Sequence, residues 1–270
     1  MKYLKIPILV TVLGALMTLW SCDKNGDIVL FSIENDKQLG AQVAAEIEAD
    51  ESFNILSEAE YPEAYAYLQS MTDDILASDE VSYKDEFVWK IHIIDEDVLN
   101  AFATPGGYIY VYTGLINYLD KADDLAGVMG HEIAHADQRH SSKQLQRQYG
   151  IQILLSIALG EDASQLAQIA GQIAGTGATL AFSRDAESEA DDFSVEYLSD
   201  TEYACNGAAS FFKKLSESGQ SGGPEFLSTH PSPDNRVEDI NAKADELACD
   251  KTAITETEVT YEQFKSSLPQ

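Results

Sequence analysis

Hydrophobic positions recur along this chain at two spacings, and each spacing predicts a different element. In "SIENDKQLGAQVAAEIEADE", residues 32–51, Leu39, Val43 and Ile47 stand four apart, which gives one apolar stripe on a helix. Ser32 supplies an N-cap oxygen. The stretch "YPEAYAYLQSMTDDILAS" (61–78) predicts a second helix, with Pro62 in the first turn, where its missing N–H costs nothing. Over "FVWKIHIID" (87–95) the period falls to two and β-branched residues accumulate, so a strand is expected. His92 within it has no partner at ligand spacing and reads as an ordinary strand residue. "NAFATPGGYIYVYTGLI" (100–116) is broken at Pro105-Gly106-Gly107, and "YIYVYTG" resumes as a β-rich run.

Helical periodicity then takes over. Residues 121–148 read as one long helix, with Asp123 and Asp124 near the start, where the helix dipole favours anions. Residues 149–177 are apolar, rich in small residues and almost uncharged. Their first run is too short to span a bilayer, and the segment predicts a helical hairpin or flap. Helices are expected over 178–200, 207–218 and "RVEDINAKADEL" (236–247), followed by a polar tail. With no internal repeat and no clear linker, the pattern predicts one α+β domain, predominantly helical.

Composition narrows the partners. The 270 residues are 44% apolar, enough for a sizeable core, and carry a net charge of −29. Such a surface repels nucleic acid and anionic lipid headgroups. The first residues form a separate unit: two lysines, an apolar run of signal-peptide length, then "LWSC" and a polar stretch. This pattern predicts a bacterial lipoprotein signal over 1–21, cleaved before Cys22, with lipid on the thiol and amino group of Cys22, and a tether over 22–31. A body anchored in an oxidising envelope compartment keeps two further cysteines, Cys205 and Cys249, and an even pair there predicts a disulfide.

Candidate chemistry concentrates in "GVMGHEIAHADQRH" (127–140), which holds three of the five histidines. His131 and His135 are four residues apart, so on a helix both rings project from nearly the same face and can share a tetrahedral Zn²⁺. Glu132 is one residue on from His131 and points beside such a metal, where it can take a proton from the attacking water. A catalytic zinc needs a third protein ligand. The extended pattern H-E-x-x-H-x-x-G-x-x-H fails, because position 138 is Gln and 141 is Ser; His140 is one residue out of register and is not expected to be a ligand. The segment "SRDAESEADDF" offers Glu187 and Asp191 at i and i+4 on one face. One would bind the metal and the other would hold a ligand histidine by its second nitrogen; by spacing alone they are exchangeable. Glu189 points roughly the other way and is expected to be solvated.

Together, HEIAH, "SRDAESEAD" about fifty residues on, and "HPSPDNR" (230–236) resemble peptidase family M48. Its members include the CAAX prenyl endoprotease, a mitochondrial inner-membrane stress protease and periplasmic quality-control proteases of Gram-negative bacteria. "NAFATPGGYIYVYTGLI" and "SIENDKQLGAQVAAEI" extend the resemblance over roughly 32–240. It implies a gluzincin-type metalloprotease domain, here 32–245 with a tail over 246–270, in which a small β-sheet lies over the zinc helices. By motif match, His131, His135 and Glu187 bind one Zn²⁺, Glu132 is the base, and Asp191 supports a ligand from behind. His230 bears on the zinc or on the developing oxyanion, and Arg184 and Arg236 brace the site. The implied setting is the envelope of a Gram-negative bacterium, with the body in the periplasm and unfolded or misassembled polypeptides as substrates.

A protease commonly takes its peptide as an added strand on an exposed sheet edge. The uncharged, glycine-bearing run around 100–111 suits that, with Asn100, Ala103, Gly106, Gly107 and Tyr108 as candidate substrate-binding residues. A second reading has the zinc site latched, by His230 or by the flap at 149–177, and the protein acting as a chaperone or scaffold in outer-membrane protein assembly.

Overall fold

A mixed sheet of three strands separates two layers of helices. The computed structural model describes residues 30–174, 181–217, 225–231, 235–254 and 260–269; the expected signal segment 1–21 and Cys22 lie outside them. The first helices are α1 (Ile33–Ala49) and α2 (Pro62–Leu76). The sheet follows, as β1 (Lys90–Ile94), β2 (Ala101–Thr104) and β3 (Tyr108–Tyr112). Next come α3 (Thr113–Tyr118), α4 (Ala122–Asp137), α5 (His140–Tyr149), α6 (Ile151–Ala158) and α7 (Ala163–Ala174). The chain ends with α8 (Arg184–Leu198), α9 (Gly207–Glu217), α10 (Glu225–Thr229), α11 (Arg236–Leu247) and α12 (Tyr261–Ser266). This is the predominantly helical α+β architecture expected from the sequence.

The strand order is β1-β3-β2. β3 pairs parallel with β1 and antiparallel with β2, with Ile91 opposite Ile109 and Phe102 opposite Tyr110. Side chains alternate across a strand, so β3 sends Tyr108, Tyr110 and Tyr112 to one face and Ile109 and Val111 to the other. The two sets belong to separate cores. The tyrosines pack with Leu39 and Val43 of α1, Leu154 and Ile157 of α6 and Ile169 of α7. The aliphatic pair packs with Leu68 and Met71 of α2 and with residues of α4, α8 and α9.

Local signals account for several element ends. Ser32 caps α1 in a reciprocal capping box with Asn35, and Pro62 opens α2. Ser183 caps α8 by accepting from the Ala186 N–H. Three expectations are corrected. The helix predicted over 121–148 breaks after Asp137, because Arg139 takes a left-handed conformation (φ 60°) and α5 starts in a new direction. The strand expected from residue 87 starts at Lys90, because Trp89 has φ 47° and turns the chain. The C-terminal segment is not a solvated tail: Tyr261, Phe264 and Leu268 are buried, and Phe264 stacks on Tyr67 of α2. Phe31, placed in the tether by sequence, is also buried, in the core above the sheet.

Candidate metal centre

Every residue of α4 is buried, so this helix runs through the middle of the lower layer. Glycines let its neighbours approach. A Cβ on Gly127 would lie 2.0 Å from the Ala208 backbone nitrogen, and one on Gly207 would lie 2.0 Å from the Asp123 carbonyl oxygen. The polar groups of a fully buried helix must find partners. Asp123 accepts from the backbone N–H groups of Ala204 and Ile254. Asp137 accepts from those of Ser82 and Tyr83 and from the Tyr197 hydroxyl.

His131 and His135 project from α4 toward Glu187 of α8 and His230 just after α10. These four residues are buried, and one donor atom of each lies within 4.8 Å of the others. His131 Nε2 is 3.0 Å from His135 Nε2, 3.5 Å from Glu187 Oε2 and 3.4 Å from His230 Nδ1. His135 Nε2 is 3.4 Å, and His230 Nδ1 3.1 Å, from Glu187 Oε1. A tetrahedral zinc with bonds of about 2.0–2.1 Å needs donor–donor edges of about 3.3 Å. The spacing and the nitrogen-rich donor set therefore fit one Zn²⁺.

The donors are held from behind. His131 Nδ1 is 2.9 Å from Asp191 Oδ1. Arg236 Nη2 donates to Asp191 Oδ1 at 2.7 Å and lies 3.1 Å from Glu187 Oε2, and Arg236 Nε is 2.6 Å from Asp191 Oδ2. It also stacks over the Phe212 ring, 3.6 Å from its centroid. His135 Nδ1 is 3.0 Å from His140 Nδ1, and His140 Nε2 is 3.1 Å from Glu189 Oε2. Glu189 is thus engaged in the site's surroundings, not solvated as its position on the helix suggested; its side chain is 18% exposed. His140, set aside as a ligand, stands directly behind one.

Electrostatics follow from burial and from these contacts. Burial works against ionisation of Glu187, but the facing rings of His230, His131 and His135 hold its carboxyl well below the usual range. Burial likewise opposes a charge on His131, yet Asp191 and Glu187 outweigh it and push its pKa up to about 9. Burial holds His135 well below the ordinary histidine value, which leaves its ring neutral. Glu132 is pushed up by burial, against the pull of His230 and His131. Neither Glu132 oxygen has a hydrogen-bond partner among the described residues, and the nearer one is 3.5 Å from His230 Nε2. Aromatic rings wall the centre: Phe182 stacks on His135 at 3.9 Å and Phe226 on His230 at 4.4 Å.

The remaining candidates separate. β2 is an edge strand. Asn100 O accepts from Tyr112 N–H across the ladder, so residues 99, 101 and 103 turn their backbone groups outward. Leu99 O accepts from Phe226 N–H and Ala103 O from the Ser141 hydroxyl. Ala103 also lines a recess with Phe102, Leu145, Ile173, Phe182 and His230, which links the strand to the centre. Gly106, Gly107 and Tyr108 are a correction. A Cβ on Gly106 would meet Lys37 Cα at 3.0 Å and one on Gly107 would meet Trp89 at 3.1 Å, so the close approach these glycines permit is made by the protein's own chain. Tyr108 starts the central strand, which is paired on both sides. Of the two arginines, Arg236 is buried against the donors, whereas Arg184 is exposed in the first turn of α8. Cys205 and Cys249 are joined by a disulfide. Phe182 and Ser141 carry no signal in the sequence, and the places of His140 and Glu189 behind His135 differ from those expected. Only the "xxxxH" that follows HEIAH hinted at any of them.

Comparison with known proteins places this arrangement. The pattern of peptidase family M48 matches residues 62–244. The β-barrel assembly-enhancing protease of Escherichia coli (strain K12) is 30% identical over 166 residues, 57% of this chain and 34% of that protein. The mitochondrial metalloendopeptidase OMA1 of Schizosaccharomyces pombe is 28% identical over 212 residues, 77% of this chain and 61% of the relative. The human mitochondrial metalloendopeptidase OMA1 is 29% identical over 220 residues, 70% of this chain and 41% of the relative. The chain thus spans about a third of the length of the bacterial relative and less than two thirds of the mitochondrial ones. The family pattern covers the sheet, both donor-bearing helices and the Arg236 brace, and the chain belongs to peptidase family M48.

Proposed function

We propose that the chain is a zinc-dependent endopeptidase that cuts extended polypeptides. The observation that carries this is Glu132. It is fully buried between two donor histidines, and neither of its oxygens meets a hydrogen-bond donor among the described residues. A purely structural metal site has no use for such a group, and burying an unsatisfied carboxylate is costly. His131, His135 and Glu187 would hold the metal, with Asp191 and Arg236 fixing their orientation. Zinc, when bound, supplies a Lewis acid that polarises the scissile carbonyl and makes water nucleophilic near neutral pH.

The chain's own groups do the rest. Glu132, its affinity for protons raised by burial, takes the proton of the attacking water and passes it to the leaving amine. The substrate would lie extended beside Ala103, at the recess that leads to His230. Substrates drawn from envelope proteins that fail to fold or assemble are supported by two features. One is the lipoprotein-like start of the chain. The other is a bacterial relative whose name joins protease activity to β-barrel assembly. Among the described residues no helix is long and apolar enough to cross a membrane. Lipid on Cys22 would tether the body.

Casein hydrolysis by zinc-loaded 23–270 protein, compared with its Glu132→Gln variant at equal metal content, tests the reading. Loss of a general base should cut the rate by about 10²–10⁴-fold without removing zinc. Equal rates, or no cleavage by either protein, would count against it. A second reading, a latched zinc protein, is favoured by His230, whose Nδ1 lies at donor distance from Glu187 and His131. A fourth protein donor would fill the position that water needs. His230→Ala then separates the two readings: activity that appears only in this variant identifies a latch.

A further inference from the structure

The two histidines of HEIAH are backed by different devices. Asp191 reaches His131 Nδ1 directly. Behind His135 stand two groups in series, His140 and then Glu189. The polarity of this chain of contacts follows from the metal-facing atom. His135 turns Nε2 to the donor cluster, 3.0 Å from His131 Nε2 and 3.4 Å from Glu187 Oε1. A neutral ring that ligates through Nε2 carries its proton on Nδ1 and must donate from there. His140 Nδ1, 3.0 Å away, is therefore the acceptor, so its own proton sits on Nε2. That proton points to Glu189 Oε2 at 3.1 Å, and a carboxylate accepts it. Each atom in the line has one role, with no donor facing a donor.

We infer that His140 and Glu189 form a positioning relay for the metal centre, in which Glu189 fixes the tautomer and orientation of His135 through the His140 ring. Groups behind a metal-bound imidazole set ring orientation and raise its basicity toward the metal. The relay is confined by packing. His140 is buried, and Phe182 covers the His135 ring at 3.9 Å, so neither ring has room to swing away from the line. The elements fit as well: the break at Arg139 starts α5 with His140 in its first turn, where the ring faces back toward α4 and α8. A continuous helix through 137–140 would carry the ring elsewhere.

The inference rests on the zinc reading above, and its test separates the two. Zinc affinity is measured by chelator competition for wild type, Glu189→Gln, His140→Asn and the double variant. Asparagine keeps an acceptor for His135 Nδ1 but cuts the line to Glu189. Each single variant should bind zinc about 10-fold more weakly or worse, and the double variant should be no weaker than His140→Asn alone. The visible absorption bands of the Co²⁺-loaded protein should shift in both single variants. Wild-type affinity in the variants, or losses that multiply in the double variant, would overturn the relay while leaving the zinc site standing. A wild-type protein that takes up no stoichiometric zinc would overturn both. Unfolding of the metal-free proteins checks the fold, and if His140→Asn fails to fold, the affinity and Co²⁺ spectrum of Glu189→Gln decide.

Discussion

The two faces of the sheet are built on opposite plans. Below it, α4, α8 and α11 bury ionisable groups in number and hold them by ion pairs and hydrogen bonds: Asp123, Asp137, His131, Glu187, Asp191 and Arg236. Above it, the three tyrosines of β3 meet α1, α6 and α7 across an almost wholly aliphatic and aromatic interface. The difference teaches where precision is needed. Apolar packing fills space and tolerates small shifts. A network of charges and hydrogen bonds fixes atoms to fractions of an ångström, at a cost in stability whenever one member is lost.

The largest expected effect breaks the lower plan. Arg236→Met leaves Asp191 and Glu187 facing each other without their shared cation. It should lower stability in excess chelator by about 3–5 kcal/mol and weaken zinc binding in competition with a chelator. The counterpart above the sheet is Ile169→Ala, which removes buried atoms without touching a charge. A loss of about 2–5 kcal/mol is expected, with zinc affinity unchanged. Equal effects of these two variants on zinc would abolish the contrast between the faces.

The upper face has its own histidine, which sharpens the comparison. His92 stacks on Tyr110, and burial, helped by Lys90 and opposed by Glu48, pushes its pKa down to about 4. The unfolded ring gains a proton near pH 6.5. The folded state therefore keeps its full stability above pH 6.5 and loses it as the pH falls from 6.5 toward 4. This amounts to about 2 kcal/mol at pH 5. Unfolding free energies from urea titrations at pH 7 and pH 5 should differ by that amount more in wild type than in His92→Phe, which keeps the stack and cannot be protonated. The smallest effect concerns a hydrogen bond of the upper layer, from the Tyr112 hydroxyl to the Ala174 carbonyl oxygen at 2.9 Å. Tyr112→Phe should cost about 1 kcal/mol and leave hydrolysis as it was.

The sequence carried the elements that obey periodicity and capping. Leu39, Val43 and Ile47 mark the buried stripe of α1, and Ser32 its start, because those signals are local. The HExxH spacing brought His131 and His135 to one face for the same reason. The break at Arg139 was hidden, since neither glycine nor proline announces it. A left-handed arginine is held there by tertiary contacts, the buried Asp36 carboxylate and the Phe31 carbonyl. The run around 100–111 was legible as a candidate sheet edge, but not which of its residues face outward, because Gly106 and Gly107 lie against α1 and Trp89 instead. Nor could helix spacing show that Glu189 leans back to a ring on another helix. The apolar residues of α12 are too few and too scattered to declare that they would be buried.

Chain order gives the Arg236 brace a temporal meaning. A nascent chain that has emerged as far as residue 200 already contains His131, Glu132, His135, Glu187 and Asp191, but neither His230 nor Arg236. Those two arrive later, Arg236 at the start of α11, the helix that runs on toward the Cys205–Cys249 bond. The proposed metal ligands and base thus exist in the polypeptide before the groups that steady them. The centre is completed only once residue 236 has been made, and the clip just beyond α11 closes only where thiols can be oxidised.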